Sequence, residues 1–365
     1  MNERIVGVDI ARGLAVLGMF AAHLGDDTEG GLHSPAWLVV ADGRPSAMFA
    51  ILAGLSIALF TGARTVPRGP ALVHGWLRVA TRAVVIFVIG VLLMALGTPV
   101  AVILPSYAVT FLLLTPFLTL RPVLVGLAAA LAAIVGPTVL AALVMPMDDG
   151  LGWAERTFGS EGNFVLDLLL TGYYPALVWI AYMLLGLCVG RLDLRSPHVQ
   201  TLLGLTGLGL LLVGYGGGDY LQTAVPADSP FTAQLLRTDP HSDSTFELLG
   251  NAGVTLLTLA VLLALTTLPA VARVSRVLLY PLAATGAMAL TAYSVHIVAI
   301  AVLGRDVVWY PESNAVLGWF VLVTLAGCTL WVRFLGRGPL EWLMRSLTLG
   351  SYRPAEEERA GALRP

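Results

Sequence analysis

Charge is the scarcest thing in this chain. Only 12% of its 365 residues are Asp, Glu, Lys or Arg, where a soluble domain carries roughly 25%. Half the usual charge leaves too little to cover a water-facing surface, so an ordinary soluble domain is excluded. Lysine is missing altogether, and all 21 basic residues are arginine. That preference carries no functional message. Cysteine occurs twice, at Cys188 and Cys328, each inside an apolar run. Two such cysteines do not make a disulfide scaffold and are read as small inert hydrophobes. No close His-x-x-x-His or His-x-x-Glu-His spacing occurs, so no metal centre is expected. No internal repeat is evident, which withholds support from an inverted-repeat transporter. A net charge of −2 matters less than where the charges lie.

What the chain has in quantity is long uncharged sequence. The runs 99–120, 122–147, 168–190, 196–218, 248–272, 277–304 and 313–332 contain no Asp, Glu, Lys or Arg. Each is about as long as the ~20 residues a helix needs to cross the hydrocarbon core. Three further runs, 6–24, 45–61 and 79–96, carry charge near their ends. Backbone groups in lipid must be satisfied within their own segment, so these runs are expected to be helices. The expected fold is all-α: a polytopic integral membrane bundle of about ten transmembrane helices, or eleven. Residues 1–350 form a single domain in this reading, and 351–365 a polar, disordered cytoplasmic tail. The first run is not read as a signal peptide, because Asp9 and Arg12 interrupt its apolar part.

Arginine placement sets the orientation. With the N-terminus inside, 17 arginines fall on the inner side, and only Arg44, Arg156, Arg237 and Arg305 remain outside. Both termini are therefore expected in the cytoplasm. The outer loops are then 25–44, 148–167, 219–247 and 305–312.

Polar residues in apolar runs are costly and point to function. Asp9 and Arg12 lie three apart, on one helix face, and can pair. As a structural cap they would serve the helix dipole and the inner headgroups; as functional groups they would line an inner vestibule. Four of six histidines converge on the outer side: His23, His33, His241 and His296. A single membrane histidine can simply bridge helices. Several on one side suggest proton transfer, because histidine titrates nearest neutrality. The segment "WLVVADGRPSAMF" carries Asp42 and Arg44 and is expected to dip into the outer leaflet, bringing Asp42 towards the histidines. In "GYYPALVWIAY", Tyr174 and Trp179 fit either an interfacial aromatic belt or an acceptor pocket.

The stretches "RIVGVDIARGLAVLGMFAAH", "GRPSAMFAILAGLS", "YPALVWIAYMLLGLCVGRLDL", "GAMALTAYSVH" and "GPLEWLMRSLT" resemble the bacterial YeiB-like proteins, the DUF418 group. The N-terminal half is similar to the heparan-alpha-glucosaminide N-acetyltransferases, within a wider set that includes the acyltransferase-3 proteins. The resemblance implies a membrane acyltransferase, in the plasma membrane of a bacterium, that takes an acyl group, an acetyl group above all, from acyl-CoA bound on the cytoplasmic side. The acceptor would be an extracytoplasmic glycan or lipid. In the glucosaminide enzymes a histidine of the first outer loop, shortly before a tryptophan, is taken as catalytic, and His33 with Trp37 matches that place. Where those enzymes end their first span with asparagine this chain has His23, as acyltransferase-3 proteins do. The resemblance leaves open whether His33 or His23 is the base; the expectation is His33 as base with His23 assisting, Asp42 as orienting carboxylate and His296 nearby. Arg64, Arg68, Arg78, Arg82, Arg333 and Arg337 would hold the CoA phosphates. Arg44, His241, Tyr174 and Trp179 would face the acceptor. Membrane lipids are expected partners, a homodimer is open, and no nucleic acid is expected. The rival is a non-catalytic transporter or lipid-binding protein that uses Asp9, Arg12 and His296 as a path.

Overall fold

The computed structural model describes residues 5–25, 36–144, 163–225, 230–311 and 313–349. Among these there is no strand. The main helices are α1 Val6–Leu24, α2 Arg44–Phe60, α3 Pro70–Met94, α4 Leu104–Leu113, α5 Pro122–Val144, α6 Ala176–Val189, α7 Pro197–Ala224, α8 Pro230–Leu236, α9 Thr245–Thr267, α10 Tyr280–Ala287, α11 Ala289–Leu303, α12 Ala315–Phe334 and α13 Pro339–Leu349. Six are long and apolar enough to cross a membrane, or up to eight spans if each of two bent pairs counts as one. The chain is a multi-pass membrane protein.

Proline opens many of these helices, since its missing N–H costs nothing in the first turn. It stands there in α2, α3, α4, α7 and α10. Helix α9 opens on "STFE", a capping box in which Ser244 Oγ accepts from Glu247 N at 3.0 Å.

Burial ranks the helices. The apolar windows of α1 and α9 are 56% and 61% buried, whereas that of α12 is 6% buried. The first two therefore lie at the centre, and α12 lies at the periphery. Close crossings between central helices depend on glycine. A Cβ on Gly286 of α10 would overlap Asp9 O of α1, and one on Gly13 would overlap Leu282 O. Gly54 of α2 and Gly186 of α6 meet in the same way against Met183 O and Ile51 O. Apolar side chains gain little by leaving lipid, so such small-residue contacts, through backbone approach and dispersion, hold a membrane bundle together.

Several elements differ from the sequence reading. The run 168–190 is not one helix. "GYYP" breaks it, and the arm Phe164–Thr171 meets α6 at 57°, because Pro175 removes a donor and stands just before the helix. The run 277–304 is broken between α10 and α11 with an 82° bend. No proline marks that break. Instead Glu341 of α13 accepts from Thr291 N at 3.0 Å and Thr291 Oγ1 at 2.6 Å, supplying the amino end of α11 with a carboxylate from far along the chain. The run 99–120 is helical only over Leu104–Leu113 and, as a tighter turn, Thr115–Thr119. The outer loop read at 219–247 contains helix α8. The tail 351–365 lies outside the described residues.

Candidate functional site

One end of the bundle gathers histidines. His23 sits in the last turn of α1 and His296 in the middle of α11. His23 Nδ1 and His296 Nε2 are 3.0 Å apart, with ring planes 12° from parallel. His296 is 2% exposed, and its ring packs against Phe20 at 4.5 Å and Tyr293 at 5.2 Å. Its Nδ1 has no hydrogen-bond partner among the described residues. His23, in contrast, lines a cavity of about 440 Å³ together with Asp42, Tyr173, Tyr174 and His241. The structure therefore brings together His23, His296, His241, Asp42 and Tyr174, all singled out from the sequence. His33 lies outside the described residues.

His241 reaches this cavity from a strained turn. His241 and Asp243 have φ of 58° and 53°, the left-handed region that costs a non-glycine residue on the order of 1 kcal/mol or more. Glu247, 3% exposed, holds the turn in place. Its carboxylate accepts from His241 N at 2.8 Å, Asp243 N at 2.8 Å, Ser242 Oγ at 3.1 Å and Asn251 Nδ2 at 3.2 Å. Asn251 also donates to Tyr182 Oη and accepts from Tyr215 Oη, and Arg44 lies 4.8 Å over the Tyr215 ring. Arg44 thus braces the network behind the turn and does not line the cavity. Aromatic rings pack around the imidazole: Tyr173 at 4.2 Å, Tyr174 at 5.7 Å and Trp179, nearly parallel, at 6.4 Å. Trp179 Nε1 donates to Asp243 Oδ1 at 3.1 Å. Burial drives the His241 pKa down to about 4, so the ring is neutral near pH 7. Burial first, then the Glu247 charge, pushes the Asp243 carboxyl well above its ordinary range.

The opposite end of the bundle gathers arginine. Arg12 donates to Asp9 Oδ1 at 2.9 Å and to Ser56 Oγ at 2.6 Å. It borders two cavities, of about 240 and 670 Å³. The smaller runs between Arg12, Arg82 and Glu341 and ends on Phe49 and Tyr107. Arg82 lies 4.1 Å over the Phe60 ring, and its Nε is buried with no hydrogen-bond partner among the described residues. An anionic group in this cavity would meet the guanidinium charges of Arg12 and Arg82. The larger cavity takes in Asp9, Arg64 and Arg195, with Arg64 paired to Asp193 at 3.0 Å. Arg78 donates to Phe60 O at 3.4 Å. Arg68, Arg333 and Arg337 are exposed and line neither cavity. Between the two ends stands a stack of rings: Phe49 lies 5.9 Å from Tyr107 and 6.4 Å from Tyr293, which touches His296.

Residues 4–210 match the family model "Heparan-alpha-glucosaminide N-acetyltransferase, catalytic", which is more than half of the chain. The chain belongs to this family. Residues 211–351 match a second model, that of a protein of unknown function, DUF418. No curated protein matches the chain. In this member of the glucosaminide N-acetyltransferase catalytic family the two matched regions meet inside helix α7, and each contributes to the histidine cavity. His23, Asp42, Tyr173 and Tyr174 come from the first, His241 from the second. Among the described residues no cluster of three or more His, Cys, Asp or Glu is arranged to hold a metal ion.

Sequence reasoning gave no role to Glu247, Glu341, Phe49 or Tyr293, and it read Ser56 only as part of a small-residue packing face with Ala53 and Gly54. Two of these had a readable signal. Glu247 stands at the last place of the capping-box sequence "STFE", although its carboxylate turns to the loop before the helix, and Glu341 stands in "GPLEW".

Proposed function

We propose that this chain is a membrane acetyltransferase that moves an acetyl group from acetyl-CoA, held at the arginine end, to a hydroxyl or amine of a glycan or lipid at the histidine end. The observation that carries this reading is the His23–His296 pair at 3.0 Å, one ring facing a cavity and the other buried behind it. If His23 Nδ1–H donates to His296 Nε2, His23 Nε2 presents its lone pair to the cavity. The acceptor proton moves to that nitrogen while the acceptor oxygen or nitrogen attacks the thioester carbonyl. The C–S bond then breaks, and the CoA thiolate leaves and takes up a proton. The imidazolium formed on His23 keeps its Nδ1–H on His296, as a third group orients a base in other enzymes. The pairing favours His23 as base, with His296 positioning it. His33 follows on the next loop and is the alternative that the resemblance favours.

The family membership supports the acetyl group. The guanidinium groups of Arg12 and Arg82 on the smaller cavity, and of Arg12 and Arg64 on the larger, support a phosphate at the other end. For the topology, up to eight spans become ten if Arg44–Phe60 crosses as well, together with Leu104–Leu113 taken with the tighter turn Thr115–Thr119 that continues it. An even count would put both termini on one side, and the arginine asymmetry of the sequence makes that side the cytoplasm of a bacterial plasma membrane. Residues 1–350 act as one domain, a reading supported by hydrophobic cores that draw on both matched regions.

The test is release of free CoA from acetyl-CoA by protein in nanodiscs, with and without acceptor. His23→Ala is expected to bind acetyl-CoA normally and to lose roughly 10²–10⁴-fold in transfer, the usual contribution of a general base. Full transfer in His23→Ala together with loss in His33→Ala moves the base to His33. A second reading has one favouring observation: cavities at both ends with a ring partition between them suit a transporter. Uptake of acceptor into vesicles without CoA release decides for it.

A further inference from the structure

A second cavity of about 430 Å³ lies beside the histidine cavity and shares Tyr173 and His241 with it. Its two walls differ in kind. One is a stripe on α5: Pro137, Leu140, Ala141 and Val144. These residues fall at i, i+3, i+4 and i+7, one face of a helix. The neighbouring face of α5 is open, with Ile134 and Val135 exposed by 58% and 45%, as befits a helix at the edge of a bundle in lipid. The cavity thus lies where the buried face of α5 turns into its outer face. The other wall is polar, with Thr171, Gln234, Ser242 and Asp243 beside His241. His241 Nδ1 is buried and has no hydrogen-bond partner among the described residues.

We propose that this second cavity seats a membrane-anchored acceptor, a lipid with a single alkyl chain and a hydroxyl-bearing polar headgroup, which enters sideways from the bilayer along α5. The proposal rests on the acyltransferase reading for its role as acceptor. A free glycan would gain nothing from a wall of four apolar side chains. A lipid without a polar head would leave the buried His241 Nδ1 unsatisfied, at a cost of a few kcal/mol. An amphipathic molecule satisfies both walls at once. The volume lies within the ~300–1,000 Å³ range of small-molecule sites, which suits a headgroup and the first part of its chain. Tyr173, whose ring is 4.2 Å from His241, is the wall that such a headgroup would cross to reach His23.

The probe is decyl glucoside carrying a diazirine in mid-chain, presented to the protein in phosphatidylcholine nanodiscs and mapped by peptide mass spectrometry after illumination. Labels are expected to concentrate on 137–144 and at Leu170. Unlabelled decyl glucoside should compete for them, free glucose should not, and Leu140→Trp should remove them. Where that variant does not fold, Val144→Phe serves. Label spread evenly over α5 and the lipid-facing Ala315–Phe334, without competition, means annular lipid only and overturns the seat. In parallel, Leu140→Trp should raise the KM for decyl glucoside at least about 10-fold and leave acetyl-CoA binding unchanged. Focused labelling with no transfer to any acceptor refutes the acyltransferase role and keeps the lipid seat. Transfer to a soluble glucoside without focused labelling does the reverse.

Discussion

Glu247→Gln isolates what holds His241 in place. The substitution keeps the shape of the side chain and replaces one carboxylate oxygen by an amide nitrogen. Oε1 accepts from His241 N and Asn251 Nδ2, and Oε2 from Asp243 N and Ser242 Oγ. If the amide nitrogen replaces Oε1, two donors lose their acceptor. If it replaces Oε2, the Ser242 hydroxyl can turn and accept, and only Asp243 N is orphaned, so the second arrangement is the cheaper. A charge-assisted hydrogen bond of this kind is worth ~1.5–3 kcal/mol, and the remaining bonds weaken as the acceptor loses its charge. Relaxation of the left-handed turn at 241–243 returns roughly 1 kcal/mol. The net expectation is a loss of about 2–3 kcal/mol, with the His241 ring released from its place between Tyr173 and Trp179. Thermal unfolding in nanodiscs, followed by tryptophan fluorescence, reads both: the midpoint should fall and the native emission of Trp179 should shift. An unchanged midpoint with unchanged emission would refute the view that this carboxylate holds the turn.

Three further outcomes follow from the same geometry. Gly286→Ala should force α1 and α10 apart and cost about 1–3 kcal/mol, as overpacking does. Gly327→Ala, where a Cβ meets nothing within 4 Å, should leave the melting midpoint alone, and equal effects would reject the close crossing. Asp9→Ala and Arg12→Ala should couple by an energy on the order of 1 kcal/mol in a double-mutant cycle of unfolding free energies; additive losses would reject the pair. Because burial lowers the folded pKa of His241 to about 4, the unfolded chain takes up the proton first as pH falls from the ordinary histidine range. Stability from this group is full above about 6.5 and drains away as pH falls towards 4. Asp243, with its pKa raised by burial, pulls the other way and loses stability as pH rises. His241→Gln should therefore flatten the acid side of the melting curve against pH while keeping the Asp243 contribution, and an unaltered acid limb would contradict the burial of a neutral ring.

The sequence was most legible where a local cause acts alone. The helix expected over 6–24 is Val6–Leu24, because hydrophobic length and the residues at its ends decide it. The Asp9–Arg12 contact follows from helical spacing. The gathering of His23, Asp42 and His241 around one cavity followed from reading which end of each run they occupy. The features that escaped were made by distant partners. Nothing near Met288 announces the 82° bend, since the carboxylate that supports it stands at position 341. The pairing of His23 with His296 joins residues 273 positions apart, and the sequence could place them only on one side. Arg68, Arg333 and Arg337 flank apolar runs, where the headgroup region alone accounts for an arginine, so their positions in the chain carried no information about cavities.

The contact between Glu341 and Thr291 has a consequence for how the chain is made. A helix start with unsatisfied amide groups is costly away from water, and near the start of α11 Thr291 N donates to an acceptor that lies fifty residues downstream. During synthesis α11 enters the membrane before that acceptor exists. His296, in the middle of that helix, thus stands on an element whose amino end gains this acceptor only once translation has passed position 341. A single carboxylate, arriving late, thus completes the amino end of the helix that carries His296.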